Sequence, residues 1–289
     1  GVMKIRAYVS TPIEHWEDAR DLVQRDGNGN DLLRWGGVKG FVDGSLGATT
    51  AWFYEPYLDA PGTSGHPLTN PVKLKKMLNG ADAAGLRISV HAIGDRAIDT
   101  LIANLRDAAG EDIANKRFRI EHFQHPSQAA IQAAADSGII ASMQPYHAID
   151  DGRWAEQRIA PDRIKTTYAF RTILDAGVNL TFGSDWPVAP LSPLQGVYAA
   201  VTRRTTDGLN PAGWLPQQKI SVEEALIAYT STNAFANFEE DVAGTLEEGK
   251  RADFVVLNED PRTIAPAAIG EIDVLATVIN GEEVFRAEN

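Results

Sequence analysis

Short apolar runs alternate with amphipathic segments along most of the chain. The runs at 3–10 (MKIRAYVS), 37–43 (GVKGFVD), 86–92 (LRISVHA), 117–122 (RFRIEH), 138–144 (GIIASMQ) and 178–184 (VNLTFGS) have the length and apolar content of strands. The segments between them carry helix signals. Asn70-Pro71 offers a cap and a first-turn proline, and Ala83-Ala84-Gly85 closes that helix. Asp95 begins the apolar-periodic DRAIDTLIANLRDAAG, Pro126 opens PSQAAIQAAADSG, and Pro161 opens a helix ending at Asp175-Ala176-Gly177. Ser221 and Glu224 have the spacing of a capping box before ALIAYTSTNAFA.

Repeated strand–helix alternation predicts a parallel sheet with helical crossovers, either an open doubly wound sheet or a closed (β/α)8 barrel. The polar residues favour the barrel. Lys39, His91, His122 and Asp185 lie inside or at the C-terminal ends of four different predicted strands. A barrel gathers such ends at one mouth, whereas an open sheet spreads them along a crevice. After about residue 240 the texture changes to short strands and glycine turns, so the chain divides into 1–240, the barrel, and 241–289, a small β unit.

Charge and composition narrow the partners. With 27 Lys+Arg against 39 Asp+Glu the formal net charge is −12, and no basic block interrupts it, which argues against nucleic acid and anionic membrane surfaces. The absence of cysteine removes disulfides, thiolate metal sites and a Cys nucleophile, and suits a reducing cytoplasm. No apolar run approaches the ~18–20 residues of a membrane span.

Burying a lysine, two histidines and a carboxylate without partners costs several kcal/mol each. A shared divalent metal offsets that cost, and imidazole nitrogen and carboxylate oxygen are ligand types that zinc takes. A set of unrelated ion pairs would offset it as well.

The segments VKGFVDGSLGATTAW, HAIGDRAI, RIEHFQHP, ASMQPYHA, FGSDWPV and GTLEEGKRADFVVL together resemble the amidohydrolase superfamily, in particular its family 3 branch, which includes N-substituted formamide deformylases. The resemblance runs from about residue 36 to the C-terminus, with the motifs in the family's order. It implies a distorted (β/α)8 barrel with a β-sandwich built from both chain ends, and a site for one or two divalent metals, zinc by ligand type. Lys39 matches the family's bridging lysine, which can be carboxylated. His91 and His122 match the histidines of strands five and six, and Asp185 the strand-eight aspartate that binds metal and takes a proton from the attacking water. For Asp185 the plainer reading is a helix cap. The implied activity is hydrolysis of carbon–nitrogen bonds other than peptide bonds in a small amide or cyclic amide.

The family's strand-one His-x-His is absent: none of the six histidines, at 15, 66, 91, 122, 125 and 147, is separated from another by a single residue. Six strands precede the β tail, two fewer than a barrel needs. Both deficits, and the abrupt apolar start, lead us to expect strands three to eight of an incomplete barrel and the C-terminal part of the sandwich. The partners expected are then the missing N-terminal segment or a homo-oligomer. The alternative function is a catalytically incompetent fragment, or a non-catalytic binding protein on the same scaffold. By position, Asp43, Ser45, Arg96, Gln144, His147 and Trp186 line the barrel mouth as substrate candidates. Arg96 serves equally well as a carboxylate clamp or as a partner of Asp95 at a helix start. His147 and His125 read as loop residues.

Overall fold

The structure, a computed structural model, describes residues 4–288. Six of its strands form one sheet: β1 (Ala7–Pro12), β2 (Leu33–Phe41), β3 (Arg87–Ala92), β4 (Arg119–His122), β5 (Ile140–Met143) and β6 (Leu180–Phe182). Their spatial order is their chain order. That is the topology of consecutive β/α units of a (β/α)8 barrel. A doubly wound sheet reverses its strand order at a switch point, and no reversal occurs here. Three further strands, β7 (Phe254–Leu257), β8 (Val274–Ile279) and β9 (Glu282–Arg286), make a separate antiparallel sheet.

The chain forms two compact units. The larger contains residues 6–143 and 154–179. In it β1 to β5 pair in parallel, with Lys39 opposite Ser89, Phe41 opposite His91 and Ala92 opposite His122. Val38, Val90, Ile120 and Ile140 from these strands are fully buried. So are Leu74 and Leu78 of helix Pro71–Ala83, Ile98 and Leu101 of helix Asp95–Ala109, and Ile131 of helix Gln128–Asp136. Each such side chain contributes about 1.5–3 kcal/mol. Asn70 caps its helix as the sequence predicts, whereas the helix expected to open at Pro126 begins at Gln128 with Ser127 as its cap. The Asn70 side chain accepts the amides of Val72 and Lys73 at 3.0 and 3.2 Å, and Ser127 accepts that of Ala130 at 3.0 Å.

The predicted helix from Pro161 to Asp175 is two helices, Pro161–Ile164 and Phe170–Asp175. The break falls at Tyr168, whose φ of 49° is left-handed and whose N–H goes to the Gln124 carbonyl at 2.8 Å rather than back along a helix. The first strand begins at Ala7, later than its apolar run suggested, and Met3 lies outside the described residues.

The other unit contains residues 144–153 and the chain from Leu180 onward. Helix Pro193–Thr202 packs against helix Pro145–Asp151 and against the 3-10 turn Pro266–Glu271. The Ser221–Glu224 capping box is complete, with amide bonds of 3.1 and 2.8 Å, and starts helix Val222–Tyr229. Asn280-Gly281, with φ of 52° and 78°, turns β8 into β9, the dipeptide that a two-residue hairpin with positive φ selects. Among the described residues no helix is long and apolar enough to cross a membrane.

Candidate metal centre

In the larger unit, three of the sequence-predicted ligands occupy adjacent strands. Lys39 is on β2, His91 is one residue from the end of β3, and His122 ends β4. The rings of His91 and His122 lie 4.4 Å apart between centroids. Lys39 is half-buried, its Nζ 5.0 Å from the centre of the Phe41 ring.

His91 is only 9% exposed. Burial lowers its pKa to about 4, against a raising hydrogen bond to Gly44, while the Lys39 charge lowers it further. At neutral pH the ring is therefore uncharged, the form that ligates metals. Its Nε2 sits 2.9 Å from the Gly44 carbonyl oxygen. A carbonyl can only accept, so Nε2 carries the proton and Nδ1 keeps the lone pair. Such a carbonyl behind the ring fixes which nitrogen is left to bind.

His122 has φ 75° and Phe123 has φ 46°. Consecutive left-handed residues are costly for side chains other than glycine and concentrate at functional sites. Here they turn the chain sharply at the C-terminal end of β4.

In the other unit, Asp185 follows β6 by three residues and is also left-handed, with φ 58°. Gly183, two residues before it, has open space where a Cβ would stand. The Asp185 side chain is 37% exposed, and its Oδ2 is 3.8 Å from Nε2 of His147. Burial holds the His147 pKa below its ordinary value, opposed by the charges of Asp185 and Asp150. His147 is not a solvated loop residue: it lies on helix Pro145–Asp151, which Gln144 precedes as the N-cap residue. The signal was present, since Pro145 suits the first position of a helix.

The amidohydrolase family model matches residues 5–285. The chain belongs to the amidohydrolase family. Within it the resemblance to family 3 holds. Protein LONG AFTER FAR-RED 3 of Arabidopsis thaliana is 36% identical over 286 residues, covering 98% of this chain and 48% of that protein. N-substituted formamide deformylase of Arthrobacter pascens is 29% identical over 259 residues, 86% of this chain and 45% of that enzyme. Among solved structures, an uncharacterized metal-dependent hydrolase from Pyrococcus furiosus aligns with TM-score 0.77 and 32% identity over 90% of this chain and 52% of its own. The chain thus spans about half the length of the curated relatives it matches.

The substrate candidates of this amidohydrolase-family chain fall in varied surroundings. Asp43 is 0% exposed, and its oxygens accept the amides of Ile93, Gly94 and Trp52 at 3.0, 2.9 and 2.8 Å. Its carboxylate therefore fastens loops rather than facing a ligand. Ser45 is exposed, and its hydroxyl accepts the Ala48 amide. Gln144 is buried and Trp186 is 65% exposed. Arg96 is exposed and stacks over Trp52 and Tyr54, 4.5 and 5.7 Å from their ring centres. Asp95 pairs with Arg163 at 2.6 Å instead.

Sequence reasoning missed two residues that serve the site's frame. Asn233 donates to the Phe182 carbonyl at 3.0 Å, satisfying the end of β6. His125, in a loop as expected, is 1% exposed, with its Nδ1 2.9 Å from the Thr167 hydroxyl. That hydroxyl gives its own proton to the Arg163 carbonyl, so His125 Nδ1 donates. A lone buried histidine in a loop carries no sequence signal that separates it from an exposed one.

Proposed function

We propose that this chain contributes the metal-binding and water-activating residues of a hydrolase that cleaves carbon–nitrogen bonds other than peptide bonds, in small amides or cyclic amides. The observation that carries this reading is a set of donor residues: in one unit Asp185 Oδ2 lies 3.8 Å from His147 Nε2, and in the other His122 ends β4 on a left-handed turn. Two imidazole nitrogens and a carboxylate oxygen suit a divalent ion, and zinc in particular. The residues present therefore fit the group that the family implies. His91, neutral and with Nδ1 unprotonated, is a further donor, and a carbamate on Lys39 would add an anionic oxygen.

Bound there, a divalent metal supplies Lewis acidity toward a carbonyl and a lowered pKa for water. The work assigned to the chain itself belongs to Asp185. Its partly exposed carboxylate takes the proton of the attacking water and returns it to the nitrogen as the carbon–nitrogen bond breaks. His147, whose pKa burial holds low, stands beside that carboxylate with Nε2 3.8 Å from Oδ2.

Zinc binding to the 289-residue chain tests this directly. Competition with a chromogenic chelator should give saturable binding that falls at least ~10-fold in Asp185→Asn and in His122→Asn. Any turnover of an N-substituted formamide should need zinc and vanish in Asp185→Asn. Zinc affinity unchanged by both substitutions would remove the proposal.

A further inference from the structure

In the unit that contains residues 180 onward, a cavity of about 420 Å3 has two cations on its wall, Arg204 and Lys219, and no acidic residue. Thr202 is the other polar residue there, and the remaining lining is apolar. Each cation is anchored by one N–H. Arg204 Nε donates to the Pro211 carbonyl at 2.8 Å, and Lys219 Nζ to the Ala212 carbonyl at 2.7 Å. Those carbonyls belong to consecutive residues, and both charged side chains line the same cavity.

The local chain is shaped for this. Gly213 has φ 97°, and a Cβ there would lie 2.7 Å from Lys219 Cε, so the absent side chain lets the lysine stem cross the loop. Trp214 N–H to the Arg203 carbonyl at 2.7 Å and Gly213 N–H to Asn210 at 2.9 Å close the loop on itself. Neither cation has a carboxylate partner among the described residues. Glu271 shares a neighbouring cavity with Arg204 but forms no ion pair with it. In a chain of formal charge −12, acids could have been expected beside two such cations.

We propose that Arg204 and Lys219 form a binding site for a small dianionic oxyanion of the phosphate class. The free Nη groups of Arg204 offer a planar fork to two oxygens, and the remaining protons of Lys219 add a point charge. A dianion cancels both cations, whereas a monocarboxylate or chloride leaves one uncompensated.

Isothermal titration of the metal-stripped 289-residue chain with inorganic phosphate at pH 8, at ionic strength fixed with chloride, tests the site. Stripping the metal keeps phosphate from binding to an ion held by the proposed ligands. One phosphate should bind per chain, sulfate should compete, and acetate should not. Arg204→Gln and Lys219→Gln should each weaken binding about tenfold or more while far-UV circular dichroism stays unchanged. No phosphate heat beyond the chloride control overturns the proposal, as does binding that both folded variants retain. Should a variant unfold, the phosphate and acetate titrations of the unaltered chain still decide.

Discussion

The Asp43 carboxylate receives the Gly94 amide at 2.9 Å, joining the loop after β2 to the start of the helix after β3. With the Ile93 and Trp52 amides on the same side chain, one buried residue fixes three backbone donors around the end of the His91 strand. Asp43→Ala should therefore destabilise the fold by at least about 3 kcal/mol, because buried amides left unsatisfied carry their full desolvation cost. Urea unfolding measures it. A loss below about 1 kcal/mol would mean that water or another acceptor replaces the carboxylate.

Stability should fall on acidification below neutrality, and the sign follows from three buried groups. Burial, aided by the Arg163 charge, lowers the His125 pKa to about 3, and burial lowers that of His91 to about 4. The unfolded chain protonates these rings near pH 6.5 and the folded chain does not, so their stabilisation is complete above that pH and is lost as pH drops. Asp43 opposes them. Burial raises its pKa to about 7 despite its three amide bonds, so its contribution is greatest below the ordinary carboxylate value and lost as pH rises through 7. Among these three groups, two protons against one leave a net slope of about 1.4 kcal/mol per pH unit between pH 6 and 5, and the depressed His147 adds in the same direction. His125→Gln should lower the slope by about 1.4 kcal/mol per pH unit, which urea midpoints across that range can read.

If His147 is a ligand, His147→Gln should lower zinc affinity at least ~10-fold without unfolding the chain. A variant that keeps its affinity would place His147 beside Asp185 without contact to the ion.

Helix Val222–Tyr229 depends on its reciprocal cap. Ser221→Ala should cost about 1 kcal/mol, or roughly 2–4 °C in Tm. An unchanged melting curve would show that packing alone defines that helix start.

What the sequence disclosed was whatever repeats or has a local cause. The six strands, the Asn70 and Ser221 caps and the antiparallel tail follow from apolar runs, proline, glycine and short polar side chains acting on their own neighbourhoods. Lys39, His91 and His122 were recognisable because chemistry-bearing residues on apolar strands stand out. Long-range bonds were not legible. Tyr168 breaks a helix for a carbonyl at Gln124, and Asp43 serves amides some fifty residues away. His147 sits on a short helix whose one local signal is Pro145 at its first position.

The left-handed backbone at His122 and Asp185 bears on which mutations are informative. A β-branched replacement there would confound lost chemistry with a distorted main chain, whereas asparagine tolerates the same torsions. Inheritance faces the same filter: neutral drift at both sites is confined to the few amino acids that accept this curl of the chain, whatever ion or substrate is present.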